Sequence, residues 1–230
     1  MNHRSKYDLT PEYRTKLVGL INDALDVYRQ YEYAEYTDGA YSISYKRNRD
    51  WFLEGLLPRI QDEKRGVNEH EKLRKGTKNY YSIFRDDGII RKIASFVDGS
   101  LDVSYYAVYM GNRRYLLPFS DAWKGRYPTY IIVAEYDGGE IIREYMVMEA
   151  QIVFDSYVRI APTEYQVERI NYIPNGKCPV MWCDTFVVSA GSEVVFSERK
   201  SYSWYEEFSC SKKGIPFSPD LPECMMRKDQ

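Results

Sequence analysis

Histidine is scarce in this chain, with His3 and His70 the only two among 230 residues. A zinc site built on imidazoles, or a Ser–His nucleophile pair, has almost nothing to work with, since only His70 lies beyond the N-terminal tail. Cysteine is nearly as rare. Cys178, Cys183, Cys210 and Cys224 all fall in the last quarter of the chain, so they cannot frame the whole fold as disulfides. The gap between Cys178 and Cys183 is also wider than a zinc knuckle uses, and reduced thiols are the expectation. No apolar run approaches the ~20 residues of a membrane-spanning helix. Met1–Asp8 is too polar for an export signal, so a cytoplasmic chain is expected. A bias of charge is missing as well: 32 basic and 34 acidic side chains leave a formal charge of −2. That balance supplies no bulk field for nucleic acid or an anionic membrane and argues against either as a partner. A phosphate-binding glycine loop is also lacking, because the glycine clusters sit beside Asp or Asn at turn positions. No cofactor or resident metal is expected.

What is present in excess is tyrosine, 23 of the 230 residues. Tyr favours strands, where it buries a large ring and keeps a polar tip. The same properties suit an interface.

The chain opens with a helical signal. Thr10 is a good N-cap and Pro11 fits the first helical position. Leu17, Leu20, Ile21, Ala24, Leu25 and Tyr28 recur at spacings of three and four as one apolar stripe. Tyr41, Ile43 and Tyr45 alternate with Ser42 and Ser44, a strand pattern. Tyr31–Tyr36 either pairs with that strand or prolongs the helix. A second helix is predicted from about Asp50, carrying Trp51, Phe52, Leu53, Leu56 and Leu57, with Pro58 limiting its run. Residues 61–79 mix acidic and basic side chains around Val67 and Leu73, which reads as a solvated, mobile connection with about one helical turn, or as a contact loop for an acidic partner.

From Tyr80 the period shifts to two. Runs at Tyr80–Arg85, Gly88–Val97, Leu101–Met110 and Arg113–Phe119 are separated by Asp-Gly or Gly-Asn turns. Ser120–Trp123 reads as a single helical turn. Thr129–Tyr136, Glu140–Met148, Gln151–Ile160, Glu164–Ile173, Val180–Ser189 and Glu193–Ser201 continue the pattern, with Tyr202–Phe208 as a candidate edge. Thr129–Tyr136 is apolar on both faces and so is predicted to be central. Gln151–Ile160, with Ile152, Phe154, Val158 and Ile160 opposite Gln151, Asp155 and Arg159, is predicted to have one wet face.

These signals predict a single α+β domain over residues 1–230. Residues 1–60 are mainly helical, 61–79 form a charged connection, 80–208 an antiparallel sheet and 209–230 an irregular tail. The helices pack on a large, strongly bent meander sheet or partial barrel.

Three functions follow as expectations. The first is a non-enzymatic cytosolic binding protein, of the general type of immunity proteins and inhibitors. It would present a tyrosine-rich sheet surface to a protein partner, with Tyr105, Tyr109, Tyr115, Trp123, Tyr145 and Tyr157 as the candidate binding residues. The second is a small-ligand binder or enzyme whose bent sheet encloses a pocket lined by Tyr and Met146 or Met148. The third rests on Asp184 followed by Glu198-Arg199-Lys200, which resembles the acid and Glu-x-Lys that metal-dependent nucleases of the PD-(D/E)xK type place on neighbouring strands. Glu69-His70-Glu71 lacks a helical zinc motif's second histidine. Glu135, Glu144, Asp155 and Glu168 are carboxylates that adjacent faces could pair.

Overall fold

A computed structural model describes residues 11–31, 39–47, 52–119, 130–148, 151–173, 180–189 and 194–203. Helix α1 (Pro11–Tyr31) is followed by β1 (Ser42–Arg47), helix α2 (Leu56–Lys64) and the two-residue β2 (Glu69–His70). An unbroken antiparallel series follows: β3 (Tyr80–Asp86), β4 (Ile89–Val97), β5 (Ser100–Met110), β6 (Arg113–Phe119), β7 (Tyr130–Asp137), β8 (Glu140–Met148), β9 (Gln151–Ala161), β10 (Glu164–Ile173), β11 (Val180–Ser189) and β12 (Val194–Ser203).

All twelve strands form one sheet in the order β12-β11-β10-β9-β8-β7-β6-β5-β4-β3-β1-β2. From β3 to β12 each strand pairs with its sequence neighbour, and β1 and β2 add to the β3 edge. The sheet is open, with β12 at one end and β2 at the other. Two-residue turns drive the meander. Asp87 and Gly88 take φ values of 48° and 77°, and Asp98 and Gly99 take 49° and 80°. Positive φ at both central positions matches the twist of paired strands, which is why Asp-Gly recurs there. Five strand pairs of the meander also carry a register shift, at Phe84/Arg85, Ser95/Phe96, Glu135/Tyr136, Glu164/Tyr165 and Thr185/Phe186.

The two helical segments cover opposite faces. Leu17, Ile21, Ala24, Leu25 and Tyr28 of α1 pack on Val108, Tyr115, Leu117, Ile131, Val133, Tyr145, Val147, Ile152, Phe154 and Ile170. On the other face Phe52 and Leu53 cover Ile83, Ile93, Tyr105, Leu116, Ile132 and Met146. Further along, Leu57 and Ile60 of α2 cover Tyr157, Val167 and Val188. Strand β7 lies between the two layers, and Ile131 to Ala134 are buried throughout. The central, doubly covered strand expected from its composition is therefore observed. No helix among the described residues is long and apolar enough to cross a membrane.

Three expectations change. The second helix starts at Leu56 rather than near Asp50, and Pro58 lies in its first turn, where a backbone N–H has no intrahelical acceptor to lose. Phe52–Gly55 is not helical. The charged stretch 61–79 holds the last turn of α2 and strand β2, whose Tyr45↔His70 and Lys46↔Glu69 pairs extend the sheet beyond β1. Strand β9 is divided along its length rather than across its faces. Ile152, Val153, Phe154, Asp155 and Tyr157 are buried while Val158, Arg159 and Ile160 are exposed. The face with Asp155 is dry because α2 lies over it.

The expected Thr10 cap, the Glu32–Tyr36 stretch, the turn at Ser120–Trp123, the edge beyond Ser203 and the tail from 209 lie outside the described residues, as do Cys178, Cys210, Cys224 and the side chain of Cys183.

Candidate functional site

Where the Phe52–Gly55 segment crosses the sheet, a carboxylate takes the place of regular backbone pairing. Glu144 on β8 is fully buried and accepts hydrogen bonds from the N–H of Glu54 (2.8 and 3.0 Å) and of Gly55 (2.8 Å). Burial pushes its pKa up to about 7, against the opposing pull of the two backbone N–H groups. The Glu54 carboxylate adds to the rise and Arg114 lowers it.

Gly55 is required at this crossing, because a Cβ there would lie 2.2 Å from the Tyr157 hydroxyl oxygen. That hydroxyl donates to Asp155 Oδ2 at 3.3 Å. Asp155, opposite Glu144 in the β8–β9 register, is gripped by Arg169 through Nε–Oδ1 at 2.7 Å and Nη2–Oδ2 at 2.6 Å. The bidentate fork satisfies both carboxylate oxygens in a dry setting. Burial pulls the Arg169 guanidinium down, but the Asp155 hydrogen bond and charge outweigh it and hold its pKa above the ordinary value.

Beside this anchor, Arg114 of β6 is 3% exposed and its Nη1 pairs with the Glu54 carboxylate. The Gly111-Asn112 turn sets its position. The Tyr136 N–H donates to Asn112 O at 2.8 Å and Asn112 Nδ2 donates to Tyr136 O at 3.1 Å. The Tyr136 ring then lies 6.0 Å from the Arg114 guanidinium, within cation–π range. Burial pulls Arg114 toward deprotonation, yet the Glu54 carboxylate, followed by Tyr136 and Glu144, keeps its pKa above the ordinary value. Its Nε and Nη2 are buried and have no hydrogen-bond acceptor among the described residues.

Arg114 borders a cleft of about 740 Å³. Tyr109, Tyr136, Tyr157 and Tyr165 contribute aromatic wall, and Leu56, Ile89, Ile90 and Ile141 contribute apolar wall. Arg59 and Arg85 add positive charge, with Glu54 and Glu140 as the acidic members. Arg85 is tied to Glu69, its Nη2 lying 3.0 Å from Oε2. Glu140 is tied to Arg159 at 2.8 Å. Tyr109 donates to Ile90 O at 2.9 Å; burial raises its pKa while Arg114 opposes the rise. Tyr136 is pushed up to about 12 by burial, again with Arg114 opposing. Both phenols therefore stay protonated at neutral pH; the Tyr136 O–H can donate to a ligand, while that of Tyr109 is already given to Ile90 O and leaves its oxygen to accept.

The expected tyrosines are distributed unevenly. Tyr105, Tyr115, Tyr145 and Tyr157 are buried, and only Tyr109, 41% exposed, meets solvent. Tyr115 instead ties α1 to the sheet by donating to Asp23 Oδ2 at 2.9 Å. Burial holds the Tyr105, Tyr145 and Tyr157 phenols well above their ordinary pKa. Trp123 lies outside the described residues. Met146 and Met148 belong to the core under Phe52, not to the cleft wall.

The β11–β12 register sets Asp184 opposite Arg199, with Glu198 and Lys200 opposite Thr185 and Cys183. Those three positions are out of phase across the pleat, so the register does not bring them onto one face. Among the four carboxylates, Glu144 and Asp155 are neighbours, whereas Glu135 belongs to the opposite face with Arg113 and Arg143.

Arg114, Glu54, Tyr136 and Arg59 were not singled out from the sequence. One signal was available: Arg113-Arg114 opens a strand whose later residues are all apolar, so on a doubly covered strand one arginine must point into the core.

The fold and the cleft together define an open antiparallel meander sheet with a helical segment on each face and a buried arginine at a tyrosine-lined cleft. No protein-family model matches the chain, and neither a curated protein nor a solved structure matches it.

Proposed function

We propose that this protein binds a small amphiphilic anion, an apolar or aromatic body bearing a carboxylate or phosphate, in the Arg114 cleft. One observation carries the proposal: a buried guanidinium at the cleft wall whose Nε and Nη2 have no acceptor among the described residues. A buried N–H without a partner costs roughly 1–3 kcal/mol and more when charged, and buried guanidinium groups are ordinarily paired through most of their donors. An anionic group entering the cleft meets the positive charge at once, and the free donors after a small adjustment of surrounding side chains. The planar fork suits carboxylate and phosphate alike. The tyrosine and isoleucine walls accept the body, in a cleft whose volume falls in the range of small-molecule sites.

The span of the cleft also supports a strongly bent sheet. It draws residues from both β4 and β10, strands that a flat sheet would separate by about 29 Å at the usual strand spacing. Curvature toward α2 brings them to one site. A tyrosine surface for a macromolecular partner would need exposed rings, and four of those expected for it are core. The cleft therefore carries the functional reading.

Native mass spectrometry of the protein purified from its own host tests the proposal. The expected result is a stoichiometric small anionic adduct that Tyr109→Ala and Arg114→Lys each weaken about tenfold or more. A protein that arrives without an adduct, and whose melting temperature no aromatic carboxylate or phosphate in a screening panel raises, sinks the idea.

A further inference from the structure

A second cleft, at the far end of the sheet, has a different character. Residues 61–79, read from sequence as a solvated connection, are held in place. Val67 is buried and its N–H donates to Asp62 O at 2.8 Å. Strand β2 pairs with β1, and the Thr77 N–H closes a turn on Arg74 O at 3.1 Å. The exit is fixed by Gly99 N–H donating to Lys78 O and Asp98 N–H to Asn79 Oδ1, both at 2.8 Å.

This loop and β1 enclose a cleft of about 740 Å³. Six cations line it, Lys46, Arg47, Lys72, Arg74, Lys75 and Lys78, and among the described residues no Asp or Glu does. Lys46 is paired to Asp62 at 2.5 Å. The other five have no ion-pair partner among the described residues. Like charges gathered around one concavity repel one another, and an anionic ligand would relieve that repulsion. Aromatic surface lies among them: Tyr45 and Tyr80 meet edge to face at 6.2 Å, and Tyr80 is stacked on Phe96 at 4.6 Å, which keeps its ring rigid. His70, Asn68 and Thr77 add hydrogen-bonding groups.

We infer that this cleft is a binding site for single-stranded nucleic acid. Unpaired Lys and Arg track phosphates, and half-buried tyrosines give bases a stacking platform, the combination that single-strand binders use. A concave site suits a splayed strand better than the convex surface of a duplex. An acidic peptide would use the cations but not the rings. The whole-chain charge of −2, which argued against nucleic acid, averages away a local cluster. This inference does not depend on the Arg114 cleft.

Fluorescence anisotropy with labelled twelve-nucleotide oligo-dT and oligo-U, titrated over salt, tests it. With five phosphate contacts, log affinity is expected to fall against log salt with a slope near about −3.5, roughly 100-fold between 50 and 200 mM. The triple variant Lys72→Ala/Arg74→Ala/Lys75→Ala should reduce the slope by about 2. Tyr45→Leu should weaken binding at an unchanged slope. The triple variant lies on an exposed loop and Tyr45 is half-buried on β1, and far-UV circular dichroism checks that each variant folds. Any one of four results overturns the inference: no oligonucleotide binding, binding unaltered in the triple variant, duplex preferred over single strand, or polyglutamate or a mononucleotide bound as tightly as the oligomer.

Discussion

Each face of the sheet is covered by one helical segment, the 21-residue α1 on one side and the nine-residue α2 with its Phe52–Gly55 lead-in on the other, yet they are held by different physics. Under α1 the contact is a stripe of aliphatic side chains against Val, Leu, Ile, Tyr and Phe, with Asp23, Arg113 and Tyr115 as a polar tie at the margin. Under Phe52–Gly55 and α2 the sheet buries Arg114, Glu144, Asp155 and Asp184 outright and Arg169 in large part. Apolar docking is tolerant, because any volume-conserving stripe packs nearly as well. Charged docking is selective, because each buried ion must find its own partner or impose its full desolvation cost. The face with the demanding interior is also the one with the Arg114 cleft. Among the described residues, the Arg114 Nε and Nη2 on this face have no hydrogen-bond acceptor.

The largest expected break in this comparison is Arg169→Met. It leaves Asp155, 1% exposed, without its bidentate partner, and should cost roughly 3–5 kcal/mol in urea denaturation. Adding Asp155→Leu should recover most of that loss, since an apolar pair is close in stability to a buried ion pair. A single variant as stable as wild type would show that the pair is not desolvated.

Acidity gives the next effect. Glu144 has a folded pKa of about 7 against an ordinary value of 4.5. Between those values the folded protein holds a proton that the unfolded chain has released. Its contribution is therefore fully present below about pH 4.5 and is lost as pH rises to about 7, a change on the order of 3 kcal/mol at most. Replacing Glu144 by Gln should flatten the melting temperature across that window relative to wild type. Parallel profiles for the two proteins would remove Glu144 as the titrating group.

Gly55→Ala is the smallest of the three. Its Cβ would enter the space of the Tyr157 ring, with the nearest ring carbon 2.7 Å away. That phenol is buried, so the segment has to shift, at roughly 1–3 kcal/mol. The same substitution at Gly19, whose Cβ would meet nothing within 4 Å on the α1 face, should instead stabilise, as Gly→Ala does inside a helix. Paired thermal melts that show no difference in sign would break the contrast between the faces.

Much of the fold was legible because its determinants are local. The Leu17–Tyr28 stripe named the buried side of α1, and the Asp87-Gly88 and Asp98-Gly99 turns named the hairpins, since few residues accept positive φ. The start of α2 was not legible, because what holds Phe52–Gly55 out of the helix is the carboxylate of Glu144, some ninety positions away. The candidate site was the least legible part. Nothing local separates Tyr109, at the cleft, from Tyr105, four residues earlier on the same strand and buried. Nor does anything local separate the wet end of β9 from its dry beginning.

The order of β3 to β12, their turn positions and the amphipathic first helix are determined by this sequence on its own, because each follows from side-chain period and backbone sterics within about ten residues. Only the tertiary structure decided which faces are covered, and so which tyrosines are core, which charges are buried and where a neutral chain gathers its cations. Those outcomes depend on what residues far apart in the chain place over one another, and desolvation acts on that arrangement rather than on any one residue's identity.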